Sequence, residues 1–295
     1  MNDEQFQKIQ SGHGFLTALD QSGGSTPASL KLYGIDEDQY ADDDEMFELM
    51  HAMRSRIITS PSFTGDQILG AILFEDTMDR DIEGRSSASY LWDIKRVVPF
   101  LKVDKGLATE HDGVQVMNPI PALPSLLSRA AHNGIFGTKM RSFIRLGNRS
   151  GITAVVDQQF QLADQITSAG FVPIIEPEVD IHSPEKGKAE AILKQSITDH
   201  LGGLAPHQWV ILKVSLPEVD DFYSDFVHHP NVLRVVALSG GYDQREADFR
   251  LSENHGLIAS FSRALMEGLS VHQSDAEFNA TLKHSIDGIL KASLA

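Results

Sequence analysis

Eight short, continuously apolar runs, helical spacing in the stretches between them, and a length of 295 residues predict an α/β protein built as a single (β/α)8 barrel. The runs are Gly14–Asp20, Ile68–Glu75, Val97–Val103, Gly137–Arg141, Phe171–Glu176, Trp209–Ser215, Leu233–Ser239 and Leu257–Phe261. They do not alternate apolar with polar residues, so each strand is expected to be buried on both faces, as parallel strands covered by helices are. Eight βα units in this length average about 37 residues each, a spacing the barrel accommodates.

Taken in order, a first helix is expected over about residues 1–12, ahead of the first strand. The acidic stretch Asp36–Glu45 reads as a solvated loop capping the next helix, Asp43–Ile58, whose Met46, Phe47, Met50, Met53 and Ile57 follow i, i+3, i+4, i+7 spacing. Thr153–Ala169 and Pro184–Leu201 show the same periodicity, and a last helix is expected over about 276–294. No low-complexity segment or Pro/Ser-rich linker divides the chain, which favours one domain over 1–295. A doubly wound open sheet is the alternative. It calls for a G-x-G-x-x-G turn after the first strand, and the closest match, Gln21-Ser-Gly-Gly-Ser25, has different spacing.

Composition removes several function classes. With 25 Lys+Arg against 41 Asp+Glu the net charge is −16, so no general attraction to nucleic acid or to anionic membranes is expected, and an anionic ligand must meet a local basic patch. The chain has no cysteine, which excludes disulfides, thiolate catalysis and cysteine-held metals. Its 12 histidines are scattered, with His228-His229 the one adjacent pair and no H-E-x-x-H, and Asp36–Glu45 lacks the glycine and closing glutamate of an EF-hand loop. Neither a metal nor another cofactor is expected. The N-terminus MNDEQFQKIQSGHG is not a signal peptide, and no run approaches the ~18 apolar residues of a membrane span, so a cytoplasmic location is expected. The oligomeric state is left open, a homo-oligomer being compatible with the sequence.

In barrels of this type the chemistry sits where the strands end. Those positions hold Asp20, Glu75, Lys102, Lys139 with Arg141, Glu176 with Glu178, Lys213, Ser239 with Gly240 and Gly241, and Ser260 with Arg263. Charges inside apolar runs are costly unless they are paired or face a wet cavity. Lys213 follows Trp209-Val-Ile-Leu212 and precedes Val214, so low-dielectric surroundings, with Lys139 and Lys102 nearby, are expected to lower its pKa and make it a nucleophile toward carbonyls. The alternative for a single such lysine is a paired structural ion. An imine-forming lysine needs a proton shuttle; Glu176 stands at the corresponding end of another strand, Glu178 two residues on, and Asp20 supplies a third carboxylate. Ser239-Gly240-Gly241 and Ser260 with Arg263 suit an anion such as phosphate, and Ser22-Gly-Gly-Ser25 with Lys102 and Arg141 suits a second.

Assembled in this order, the sequence resembles class I fructose-bisphosphate aldolases, particularly the shorter bacterial type. The resembling stretches are Ala18-Leu-Asp20-Gln-Ser22, Leu101-Lys-Val-Asp-Lys-Gly106, Lys139-Met-Arg141, Pro173-Ile-Ile-Glu-Pro-Glu178, Leu212-Lys213, Leu238-Ser-Gly-Gly241 and Ser260-Phe-Ser-Arg-Ala-Leu265. The resemblance implies a (β/α)8 fold and reversible, metal-independent cleavage of fructose 1,6-bisphosphate to dihydroxyacetone phosphate and glyceraldehyde 3-phosphate. It implies Lys213 as the Schiff-base lysine, Glu176 as its general acid/base, Lys139 as a cationic neighbour, Asp20 as acceptor of the C4-hydroxyl proton, and Glu178 as the motif's second glutamate. Ser239, Gly240 and Arg263, with Gly241 and Ser260 beside them, correspond to the C1-phosphate site, and Lys102, Arg141, Ser22 and Ser25 to the C6-phosphate site. Vertebrate members carry a terminal tyrosine that exchanges protons with the enamine. Here the last tyrosine is Tyr242 and the last residue Ala295, so another group or water is expected in that role. Two further readings are a different imine-forming enzyme, such as a transaldolase or deoxyribose-phosphate aldolase, and a catalytically silent sugar-phosphate-binding barrel. Retention of both Lys213 and Glu176 speaks against the silent barrel.

Overall fold

A computed structural model describes residues 2–295. The eight expected runs form eight strands: β1 (Phe15–Leu19), β2 (Ile68–Leu73), β3 (Val98–Lys102), β4 (Gly137–Ile144), β5 (Val172–Val179), β6 (Val210–Ser215), β7 (Val232–Leu238) and β8 (Ile258–Phe261). All pair in parallel, in the order β3-β2-β1-β8-β7-β6-β5-β4, and pairing of β3 with β4 closes the barrel.

Helices surround it: α1 (Asp3–Ser11), α2 (Ser25–Tyr33), α3 (Asp43–Thr59), α4 (Leu123–His132), α5 (Arg149–Ser168), α6 (Lys186–Leu201), α7 (Gln244–Ser252) and α8 (Asp275–Ser293), with shorter turns between. The helix expected over about 1–12 is observed as α1, Met1 lying outside the described residues, and that over 276–294 as α8. Asp42 caps α3 by accepting from the Glu45 amide at 3.0 Å, so the acidic stretch ends as the expected helix cap. Periodicity did not single out α2, α4 and α7. They have 9, 10 and 9 residues, few enough turns that a stripe hardly repeats, and two of them carry a proline in the first turn, Pro27 and Pro124.

The inside of the barrel has two zones. Lower inward positions are apolar: Leu16 and Ala18 of β1, Ile72 of β2, Val98 and Phe100 of β3, Val172 and Ile174 of β5, Ile211 of β6, Val236 of β7 and Ile258 of β8 form one buried cluster, with Ile9 of α1 joining from below. Phe100 fills the axis because its neighbours are bare: a Cβ on Gly70 or on Gly137 would come within 2.8 Å of the Phe100 ring. Side chains along a strand repeat with period two, so the next inward residues, two positions further on, are Asp20, Lys102, Lys139, Glu176, Lys213 and Ser260. The barrel therefore changes from hydrocarbon to ions within one layer. This is why charges interrupt runs that are otherwise buried.

Candidate active site

That ionic layer is the floor of a cavity of about 810 Å³ at the C-terminal mouth. Among the expected site residues, Asp20, Ser22, Ser25, Lys102, Lys139, Arg141, Glu176, Glu178, Lys213, Ser239, Gly240, Ser260 and Arg263 line it. Gly241 lies just behind, where a Cβ would come within 3.7 Å of Arg263 Nη2. Glu75, a strand-end residue in the sequence, departs from this set. It starts the short helix Glu75–Met78, pairs with Lys105 of the cavity wall at 2.5 Å and with Arg129, and does not itself line the cavity. The six cations against four carboxylates around the cavity leave a local excess of two positive charges in a chain of net −16.

At the floor, charges alternate in a chain drawn from four strands. Asp20 Oδ2 lies 2.6 Å from Lys139 Nζ, Lys139 Nζ lies 3.0 Å from Glu176 Oε2, and Glu176 Oε1 lies 3.0 Å from Lys213 Nζ. All four residues are buried, between 3% and 8% exposed. Burial alone pushes the Asp20 carboxyl up, but Lys139, then Lys213 and Lys102, overcome it and hold it down at about 2. Burial likewise opposes ionisation of Glu176, and Lys139 and Lys213 hold its carboxyl below the usual value. Burial works against the Lys139 ammonium too, yet Asp20 and Glu176 raise it far above an ordinary lysine. The sequence reading set the three lysines against one another. The structure corrects this by interleaving carboxylates, so Lys139 is a fixed cation between two anions and Lys213 faces a carboxylate directly.

These shifts carry a stability consequence. Asp20 and Glu176 are depressed from 3.8 and 4.5, so their stabilisation is complete above about pH 4.5 and is lost as pH falls through the folded values, about 2 for Asp20. Lys139 is raised from 10.5, so its contribution is complete below that pH and is lost as pH climbs through its folded value. Unfolding by urea is expected to show a plateau between these limits and a decline toward pH 2. Asp20→Asn should flatten that acid decline; an unchanged slope would contradict the assignment.

Around the floor, Glu178 is engaged by Arg141 at 2.5 Å and pairs with neither lysine among the described residues. Burial lowers the Arg141 guanidinium, but Glu178 more than restores it. On the β1 side, Lys102 donates to Ser22 Oγ at 2.7 Å, and Ser25 Oγ both accepts from the Ser22 amide at 3.0 Å and donates to its carbonyl at 2.9 Å. The Ser22–Ser25 turn is thus self-braced beside a cation. On the β7–β8 side, Gly240 has φ +62 and a Cβ there would come within 2.7 Å of Ile181, so a side chain at this position would have to displace Ile181 as well as adopt a left-handed backbone. Ser260 Oγ is buried with no hydrogen-bond partner, and Arg263 has no ion pair, among the described residues. Tyr242 lies behind the glycine turn, its ring under the Arg250 guanidinium at 4.6 Å, and does not line the cavity.

Several lining or supporting residues escaped the sequence reading. Asp104, 5% exposed, stands 3.4 Å from Lys102; Lys105 and Ser262 also line the cavity. Arg54 of α3 is fully buried and donates to the Gln21 carbonyl at 2.5 Å and to Thr77 Oγ1 at 2.7 Å, while Gln21 donates to Ser262 Oγ at 2.5 Å. Burial brings its guanidinium down to about 10, and it holds the β1 exit from beneath. Its signal was present: an arginine one residue after Met53, within the helix's apolar face.

The family model described as fructose-bisphosphate aldolase class-I matches residues 4–199. A fructose-bisphosphate aldolase class 1 of Synechocystis sp. is 62% identical over 293 residues, covering 99% of this chain and 98% of that protein. One from Clostridium acetobutylicum is 57% identical over 294 residues, covering 100% of both chains. Among solved structures, fructose-bisphosphate aldolase from Plasmodium falciparum, in complex with TRAP and a small-molecule inhibitor, superposes with a TM-score of 0.76 at 20% identity, covering 99% of this chain and 94% of that one. The last is a likeness of fold.

Proposed function

Because the chain belongs to the class-I fructose-bisphosphate aldolase family, and so reversibly cleaves fructose 1,6-bisphosphate to dihydroxyacetone phosphate and glyceraldehyde 3-phosphate, we propose that Lys213 carries the reaction through an imine with the substrate's C2 carbonyl. The single observation that carries this reading is the buried glutamate shared by two lysines, 3.0 Å from each. Glu176 is within reach to take a proton from the Lys213 ammonium, freeing the amine to attack C2, and to return it when the carbinolamine loses water. Lys139 keeps that carboxylate ionised between transfers.

The resulting iminium carries the same positive charge as the ammonium it replaces. The alternating chain therefore stays balanced through the intermediate, with no charge created in a closed site. Asp20, held ionised, takes the C4-hydroxyl proton; the C3–C4 electron pair moves into the iminium, glyceraldehyde 3-phosphate leaves, and an enamine remains. Protonation at C3 and hydrolysis of the imine release dihydroxyacetone phosphate. In the reverse direction the same steps join the two triose phosphates, so the enzyme serves glycolysis and gluconeogenesis alike.

Two anion sites orient the breaking bond over Lys213. Ser239, Gly240, Gly241, Ser260 and Arg263 are proposed to hold the C1 phosphate, and Lys102, Arg141, Ser22 and Ser25 the C6 phosphate. Glu178 acts through Arg141, whose guanidinium it positions. Because Arg263 has no protein anion to satisfy, Arg263→Met is expected to raise KM for fructose 1,6-bisphosphate about 10- to 100-fold, or about 1.4 to 2.7 kcal/mol, with a smaller change in kcat; initial-rate kinetics check it. The function itself is tested by following triose-phosphate release from fructose 1,6-bisphosphate with and without EDTA. Equal rates are expected, and loss of activity in EDTA would contradict imine catalysis.

A further inference from the structure

What sets the separation of Glu176 and Lys213 is visible in the seam between their strands. β5 stays in register with β4 along its whole length, from Gly137↔Val172 to Ile144↔Val179, and β6, past a bulge between Val232 and Arg234, pairs with β7 without a break from Ile211↔Arg234 to Ser215↔Leu238. Between β5 and β6 the pairing stops at Ile175↔Leu212, although both strands run on to Val179 and Ser215. The seam opens at the next pair of residues, Glu176 and Lys213, whose side chains span it.

Above the opening, the strands are rejoined by a side chain. Ser215 Oγ donates to the Val179 carbonyl at 2.7 Å and accepts from the Val179 amide at 2.9 Å, and the residue is 1% exposed. One hydroxyl thus satisfies both backbone groups that a regular ladder would have paired. The following carbonyl, Leu216 O, is held from α6 by Lys186 Nζ at 2.8 Å; Lys186 pairs with Glu190 at 2.5 Å, and Glu190 Oε2 accepts from the Glu218 amide at 3.1 Å. The exit of β6 is therefore tied on two sides just beyond Lys213.

We propose that Ser215 is a positioning residue that fixes the width of the β5–β6 seam and through it the distance over which Glu176 and Lys213 exchange protons. This rests on the reading of Lys213 as the imine-forming residue. Without the hydroxyl, the Val179 amide and carbonyl are buried and unpaired, and the strands must either close into ladder contact or admit water. Both outcomes move Lys213 against Glu176, and a displacement of about 1 Å at reacting groups costs about 10²-fold in rate.

The test compares wild type, Ser215→Ala and Ser215→Thr in two assays, steady-state cleavage of fructose 1,6-bisphosphate and the rate of borohydride trapping with dihydroxyacetone phosphate at Lys213. Ser215→Ala is expected to lower kcat and the trapping rate together by about 10- to 100-fold while KM stays within about threefold. Ser215→Thr, which keeps the hydroxyl, should stay within about threefold of wild type in both. Wild-type kcat and trapping in Ser215→Ala would overturn the proposal, as would a Ser215→Thr protein impaired as deeply as Ser215→Ala at wild-type thermal stability. If Ser215→Ala does not fold, Ser215→Cys, similar in size with a weak donor, replaces it under the same criteria. Absence of label on Lys213 in the wild type would remove the underlying reading, whereas equal labelling of wild type and Ser215→Ala would remove this inference alone.

Discussion

Lys213→Met is expected to abolish cleavage of fructose 1,6-bisphosphate, lowering kcat by about 10⁴-fold or more, because no other amine at the floor is free to form the imine. Lys139, the nearest alternative, is clasped between Asp20 at 2.6 Å and Glu176 at 3.0 Å and is held protonated far into alkaline pH. Methionine is similar in length and size, and Glu176 keeps its pair with Lys139, so the barrel should remain folded, though less stable for the one uncompensated negative charge left at the floor. The phosphate sites do not include Lys213, so the variant should still bind substrate. A coupled cleavage assay, circular dichroism and equilibrium binding of fructose 1,6-bisphosphate separate these effects; residual activity above about 1% of wild type would argue for another nucleophile.

The next largest effect is expected from Lys139→Met. This removes the cation between two carboxylates and leaves Asp20, Glu176 and Lys213 with an uncompensated negative charge in a site where all are buried. Because Lys139 is the strongest influence holding both carboxyls down against burial, their pKa values should rise in the variant. The acid limb of the kcat/KM profile should therefore move to higher pH, kcat should fall about 10²- to 10³-fold, and unfolding should lose about 3–5 kcal/mol, the usual cost of stranding a buried charge. A normal pH profile with reduced activity would show Lys139 acting by contact with substrate instead of by charge.

The strands were legible because burial on both faces leaves a run of apolar residues that no loop or surface helix imitates. Each of the eight expected runs overlaps an observed strand, three strands running past the expected bounds (Gly137–Ile144, Val172–Val179 and Val232–Leu238), and the ions in them are inward-facing because period two carries the alternation of Ala18, Ile174 and Ile211 on to Asp20, Glu176 and Lys213. Partnerships were not legible. Asp20, Lys139, Glu176 and Lys213 come from β1, β4, β5 and β6, and barrel closure decides which carboxylate meets which lysine. Reading the lysines alone led to repulsion among them, whereas the structure places an anion in each gap. Glu75 shows the converse failure. It ends an apolar run as the others do, but the chain turns into a helix there, and its carboxylate is taken up by Arg129 and Lys105 instead of lining the cavity. Asp104 is not legible as a site residue from the sequence because it follows the strand end by two residues and its role depends on Lys102 folding back toward it at 3.4 Å.

The most direct measurement is to incubate the protein with dihydroxyacetone phosphate, reduce with borohydride, digest, and locate the adduct by mass spectrometry. A single stable adduct on Lys213, absent in Lys213→Met and formed equally in EDTA, is the expected result. No adduct, or an adduct on Lys139, would contradict the assignment of Lys213 as the residue that carries the reaction.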